Sequence, residues 1–148
     1  MNFKTSIGTL AAALALSFAA PALAQPAAAG DALYQQLGGQ PGLVRLMDDF
    51  MPRLLADARL RPFFKDVDQA HVKAQLVAQF CQVAGGPCRL NGPDMKRVHE
   101  GFDIDRAAFN ALVEVLQQSM QAQGIAFGVQ NRLLAHLAPM HRDIVNVK

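Results

Sequence analysis

The sequence predicts an all-α domain, and three observations carry that expectation. Apolar residues recur at spacings of three and four along most of the chain, no window alternates apolar and polar residues as a half-buried strand would, and clusters of glycine and proline cut the periodic runs into lengths suited to helices. There are no internal repeats, and the only biased tract is an Ala-rich leader.

The chain opens "MNFKTSIGTLAAALALSFAAPALAQ": one early lysine, an apolar run, then "ALA" before Gln25. That is the order of charge, core and small residues in a secretory signal peptide, with cleavage expected after Ala24. The apolar run is shorter than the ~20 residues that cross a bilayer, and Pro21 follows it directly, so a membrane anchor is disfavoured. The reading is therefore a signal peptide over residues 1–24, a flexible lead over 25–30 and one domain over 31–148, in a periplasmic or secreted protein. No stable membrane insertion is expected after signal removal, because nothing downstream approaches spanning length.

A short helix is expected from Asp31 to Leu37, ended by "LGGQPG", which reads as a turn. In "LVRLMDDFMPRLLA", Leu43, Leu46, Met47, Phe50, Met51 and Leu54 fall on one helical face, opposite Arg45, Asp48, Asp49 and Arg53. Pro52 removes an N–H from this helix and crowds the Asp48 carbonyl, so a kink is expected there. "RPFFKDVD" reads as a loop. The run "QAHVKAQLVAQFCQVA" reads as a helix that must stop at Gly85-Gly86-Pro87. "NGPDMKRVHEG" gives a short helix with Asp94 in its first turn and Gly101 past its end, and Asp105 is the N-cap candidate for a helix reaching Gln123. The last helix is expected from about Phe127 to Val145, with Pro139 kinking it after Leu134.

The formal charge of +2 includes Lys4, which leaves with the signal peptide, so no nucleic-acid partner is expected. The four histidines (His71, His99, His136, His141) show no zinc spacing, and neither HExxH nor CxxC occurs. Ser119 is the only serine after the signal peptide and lacks a nucleophile turn, which disfavours a serine hydrolase. Cys81 and Cys88 are the only cysteines. An unbroken helix would hold their Cα atoms about 10 Å apart, beyond disulfide reach, but Gly85-Gly86-Pro87 lets the chain turn back. A disulfide is expected in an oxidising compartment, with two small buried thiols as the alternative. Up to this point a helical bundle without a cofactor also fits.

Read together, "LYQQLGGQPGL", "LLADARLRPFF", "VAGGPCRLNGPDMKRVHEGFDI" and "LLAHLAPM" give the chain a likeness to a known family. It resembles the truncated haemoglobins of the first group, from Leu33 to about Val145. The resemblance implies a truncated two-over-two globin-like helical sandwich holding one haem b per chain. It places His99 at the proximal iron ligand and Phe64 at the phenylalanine packing the haem edge. The chemistry agrees, since an imidazole at a helix end can give one nitrogen to iron while the other donates to a carbonyl. Phe63, Phe80, Phe109, Leu112 and Leu137 are candidate wall residues or ordinary core, and Lys73, Lys96 and Arg97 are candidate partners for the haem propionates.

Group members commonly carry a tyrosine in the second helix and a glutamine in the distal helix. Here Met51 takes the tyrosine position and Val72 and Leu76 are nearest on the distal face, with Gln75 beside them, so the gas pocket is expected to be unusually apolar. His71 lies one residue before Val72 and is expected to point into solvent rather than ligate iron. The resemblance implies a diatomic gas ligand: oxygen, nitric oxide or carbon monoxide. The alternatives are a haem enzyme consuming nitric oxide or peroxide, with an unidentified reductase as partner, and a redox or haem-handling module.

Overall fold

The computed structural model describes residues 32–147, so the signal peptide and the lead expected over residues 1–30 lie outside the described residues. The described residues form only helices and connecting segments, with no strand. In order they are α1 (Ala32–Gln36), α2 (Gly39–Ala56), α3 (Arg61–Phe64), α4 (Gln69–Val83), α5 (Met95–His99), α6 (Arg106–Ala122) and α7 (Phe127–Leu137), then a 3₁₀ turn (Ala138–Met140) and α8 (His141–Ile144). Helix α2 packs on α4 and α6, and α7 packs on α4 and α6. Two helix pairs thus lie one over the other.

The core stripe of α2 is buried as its spacing predicts: Leu43, Leu46, Met47, Phe50, Met51 and Leu54 are all inaccessible or nearly so. Leu116, Met120 and Leu133 close over it from the other pair. Helix α2 runs on through Pro52, whose flanks are braced on the outside. Asp49 and Arg53 form an ion pair at 2.6 Å, and Lys73 of α4 pairs with Asp48.

Three expectations about local structure are corrected. The turn in "LGGQPG" is confined to Leu37 and Gly38, and α2 already starts at Gly39, because Pro41 falls in a first turn whose N–H groups have no helical partner to lose. "RPFF" is a one-turn helix rather than loop. The Arg61 guanidinium ties it to the end of α2 by donating to the Leu55 and Ala56 carbonyls, and Leu60 anchors it in the core. The last helix does not continue to Val145 with a kink after Leu134. It runs to Leu137 and breaks at the 3₁₀ turn, where Pro139 sits at a turn start and lacks no bond.

Helix α4 ends where the glycines predict. Gly85 takes φ 82°, and Cys81 and Cys88 are joined by a disulfide with Cα atoms 5.7 Å apart. Gly86 is required here: a Cβ on it would lie 2.7 Å from both the Cys81 sulfur and the Tyr34 ring. The disulfide, Gly86 and Tyr34, whose N–H donates to the Ala84 carbonyl at 3.1 Å, fasten the end of α4 to α1. They also fix the start of the strand-free segment that leads to α5.

Candidate functional site: the surroundings of His99

Asp94 caps α5 by accepting the Arg97 N–H at 2.8 Å. At the other end of this helix stands His99, half-buried. Its Nδ1 lies 2.7 Å from the Met95 carbonyl oxygen, one turn back. A carbonyl only accepts, so Nδ1 carries the proton in this contact, and in the neutral ring Nε2 keeps its lone pair. The ring is thereby fixed in direction and tautomer, the arrangement that second-sphere partners impose on a metal-ligating histidine.

Across from α5 lies α4. Val72 and Leu76 are half-buried on it and pack against the core, to which Met51 of α2 belongs at 6 % exposure. Gln79 links the two sides: its amide nitrogen is 3.3 Å from the Met95 sulfur and 3.1 Å from the Met140 sulfur. Sequence reasoning missed this residue. Seven positions after Val72 and three after Leu76, it shares their helical face, and that spacing was the available signal.

The other singled-out residues separate. Phe64, Leu112 and Leu137 are half-buried against the core, and the Phe64 carbonyl accepts from the Gln69 amide, which ties α3 to α4. Phe80 is fully inside the core. Phe109 packs edge-on against the His141 ring, with centroids 4.9 Å apart. Phe63 lines a separate cleft of about 240 Å³ with Arg59, Asp103 and Asp105. His71 is exposed, as expected, and Gln75 is half-buried. His136 is exposed beside a cleft of about 600 Å³ between α1, α4 and α7. Among the described residues, no three His, Cys, Asp or Glu side chains converge to hold a metal by themselves.

The model of one family, the bacterial-like globins, matches residues 32–146. A group 1 truncated haemoglobin, GlbN of Synechocystis sp., is 31% identical over 120 residues, covering 77% of this chain and 97% of its own. The chain belongs to the bacterial-like globins, among the group 1 truncated haemoglobins. A second relative of this group, GlbN of Nostoc sp., is 29% identical over 114 residues, with 77% of this chain and 97% of that one covered. Among solved structures, the truncated haemoglobin of Tetrahymena pyriformis in its Fe(III) form superposes with a TM-score of 0.74 at 26% identity, over 77% of this globin and 97% of that chain.

The residues around His99 fit a porphyrin on their own chemistry. They offer an imidazole held through Nδ1, an apolar face at Val72 and Leu76 that is only half covered, and a five-residue α5 with no buried side chain, where Val98 on the helix and Phe102 just after it remain 44 % and 46 % exposed. Such a surface lacks a large apolar partner, which a flat macrocycle supplies. Of the candidate propionate partners, Lys73 is already paired with Asp48, while Lys96 and Arg97 lie exposed on α5. A further charge cluster lies elsewhere: hydrogen bonds from Arg59 hold the Asp57 carboxyl below its usual range, and Arg59 also reaches Glu114 at 2.8 Å.

Proposed function

We propose that this globin is an exported haem protein that binds oxygen, nitric oxide or carbon monoxide at an iron held by His99. One haem b per chain binds beside His99, supplying the iron and its affinity for diatomic gases. The chain supplies the rest. His99 gives Nε2 to the metal, Phe64, Leu112 and Leu137 give apolar contact to the macrocycle, and Met51, Val72 and Leu76 form an apolar distal pocket. The observation that carries this reading is the His99 Nδ1 contact with the Met95 carbonyl, which turns a partly exposed histidine into an oriented ligand. Family membership supports the haem and the gas.

The test is the absorption spectrum of the purified protein in ferric, ferrous and carbonyl states. An intense Soret band at one haem per chain is expected, with a five-coordinate ferrous form that takes up carbon monoxide. A colourless protein that stays colourless when mixed with hemin would overturn the reading.

The Cys81–Cys88 disulfide supports export, because such bonds persist in oxidising compartments. The mature protein is expected in the periplasmic or extracellular fraction with Gln25 as its first residue, read by N-terminal sequencing. Recovery from the cytoplasm with Met1 still attached would count against it.

A further inference from the structure

The segment carrying His99 does little to hold itself. Helix α5 has five residues and none is buried, and a helix that short has almost no stability of its own. The linker behind it turns through Gly101 at φ 80°, which glycine adopts freely, and holds Asp103, a residue with a Cβ, at an uphill φ of 52°. What fastens this stretch comes from the other end of the chain. Asn146 donates from its side-chain amide to the His99 carbonyl at 2.8 Å, and its backbone N–H donates to the Ile104 carbonyl at 3.0 Å. The Val147 N–H reaches the same Ile104 oxygen at 3.3 Å, and α8 just before them packs on α5. Residues 146 and 147 therefore lace the linker at both ends, at His99 and at Ile104.

We infer that Asn146 is a positioning residue for the iron ligand, acting through the His99 carbonyl; this rests on the assignment of His99 to iron made above. The imidazole is locked to its own helix by the bond to Met95, so any rotation of α5 is a rotation of the ring and of the Nε2 lone pair. The Asn146 amide is the one side-chain hydrogen bond, among the described residues, that reaches the His99 backbone from outside α5. Without it, α5 keeps its N-cap, the Gln79 contact with the Met95 sulfur, the long bond from the Phe102 N–H to the His99 carbonyl and its packing on α8, and the linker is freer to relax Asp103.

Asn146 is exposed, so its truncation opens no cavity in the core and the fold survives. Asn146→Ala is expected to speed haem transfer to an excess of acceptor apoglobin by roughly threefold to tenfold, the worth of one hydrogen bond. It should also shift the iron–histidine stretch of the ferrous protein and hasten amide exchange at Val98, His99 and Glu100 in the haem-free protein. Asn146→Asp, which keeps the shape and loses the donor, should move all three the same way. A change in melting temperature alone, with stretch, transfer rate and α5 exchange unaltered, would overturn the inference and leave the His99 assignment standing. Haem retention by His99→Ala would instead remove the assignment, and the inference with it.

Discussion

His99→Ala is expected to purify almost free of haem, with its affinity for added hemin lowered by more than about a hundredfold. Losing a partner that merely orients a metal ligand commonly weakens a site tenfold to a hundredfold, and losing the ligand itself removes more. No other histidine is placed to substitute. His71 is exposed near the start of α4, and its backbone N–H is held by Asp68 at 3.0 Å. His136 stands at the cleft on the α1 side, and His141 is packed edge-on against Phe109. Substituting His71 or His136 by alanine should therefore leave the haem content unchanged. Titration of each apoprotein with hemin, followed by the Soret band, compares all three. A His99→Ala protein with full haem and an unaltered ferrous spectrum would show that iron is held elsewhere.

The parts of this structure that were legible in the sequence are those whose cause is local. The α2 stripe from Leu43 to Leu54 is buried because spacing alone puts those residues on one face. Asp94 and Asp105 cap helices because a carboxylate three residues before a free N–H has one low-energy place to go. Gly85 turns the chain where nothing with a Cβ would do so cheaply. The failures follow from the same rule. One turn of helix at "RPFF" is too short to show a period, and it is held by Arg61 reaching back to α2. Pro139 displaced the break in the last helix because a 3₁₀ turn absorbs a missing N–H three residues later than a kink would. Gln79 carries no mark of its partners in its own helix, because the Met95 and Met140 sulfurs come from other elements. Asn146 is 47 residues from its partner, and no local pattern signals so long a reach. Family likeness found His99, whereas only the fold found what holds it.

Met51→Tyr is expected to slow the release of oxygen by roughly tenfold to a hundredfold while leaving carbon monoxide release nearly unchanged. Oxygen held at a ferrous haem carries partial negative charge on its outer atom, so a hydrogen-bond donor there stabilises it by about 1.5 to 3 kcal/mol. Each 1.4 kcal/mol is a factor of ten, and for one pocket the difference falls mainly on the off-rate. Carbon monoxide is nearly nonpolar and gains little. The proposed pocket sets a thioether at Met51 and aliphatic chains at Val72 and Leu76 around the gas, so the wild-type protein should release oxygen quickly and favour carbon monoxide. On α4, Gln79 already has its amide turned to two sulfurs. Bulk must be separated from polarity, because Met51 is buried at 6 % exposure and a larger ring strains its neighbours, by about 1 to 3 kcal/mol in stability. Met51→Phe supplies that comparison, with the ring and without the hydroxyl. Stopped-flow release of oxygen from the three proteins should therefore give Phe close to wild type and Tyr much slower. If wild type already releases oxygen slowly, and neither substitution changes it, a donor such as Gln75, Gln79 or an ordered water reaches the ligand and the pocket is polar after all.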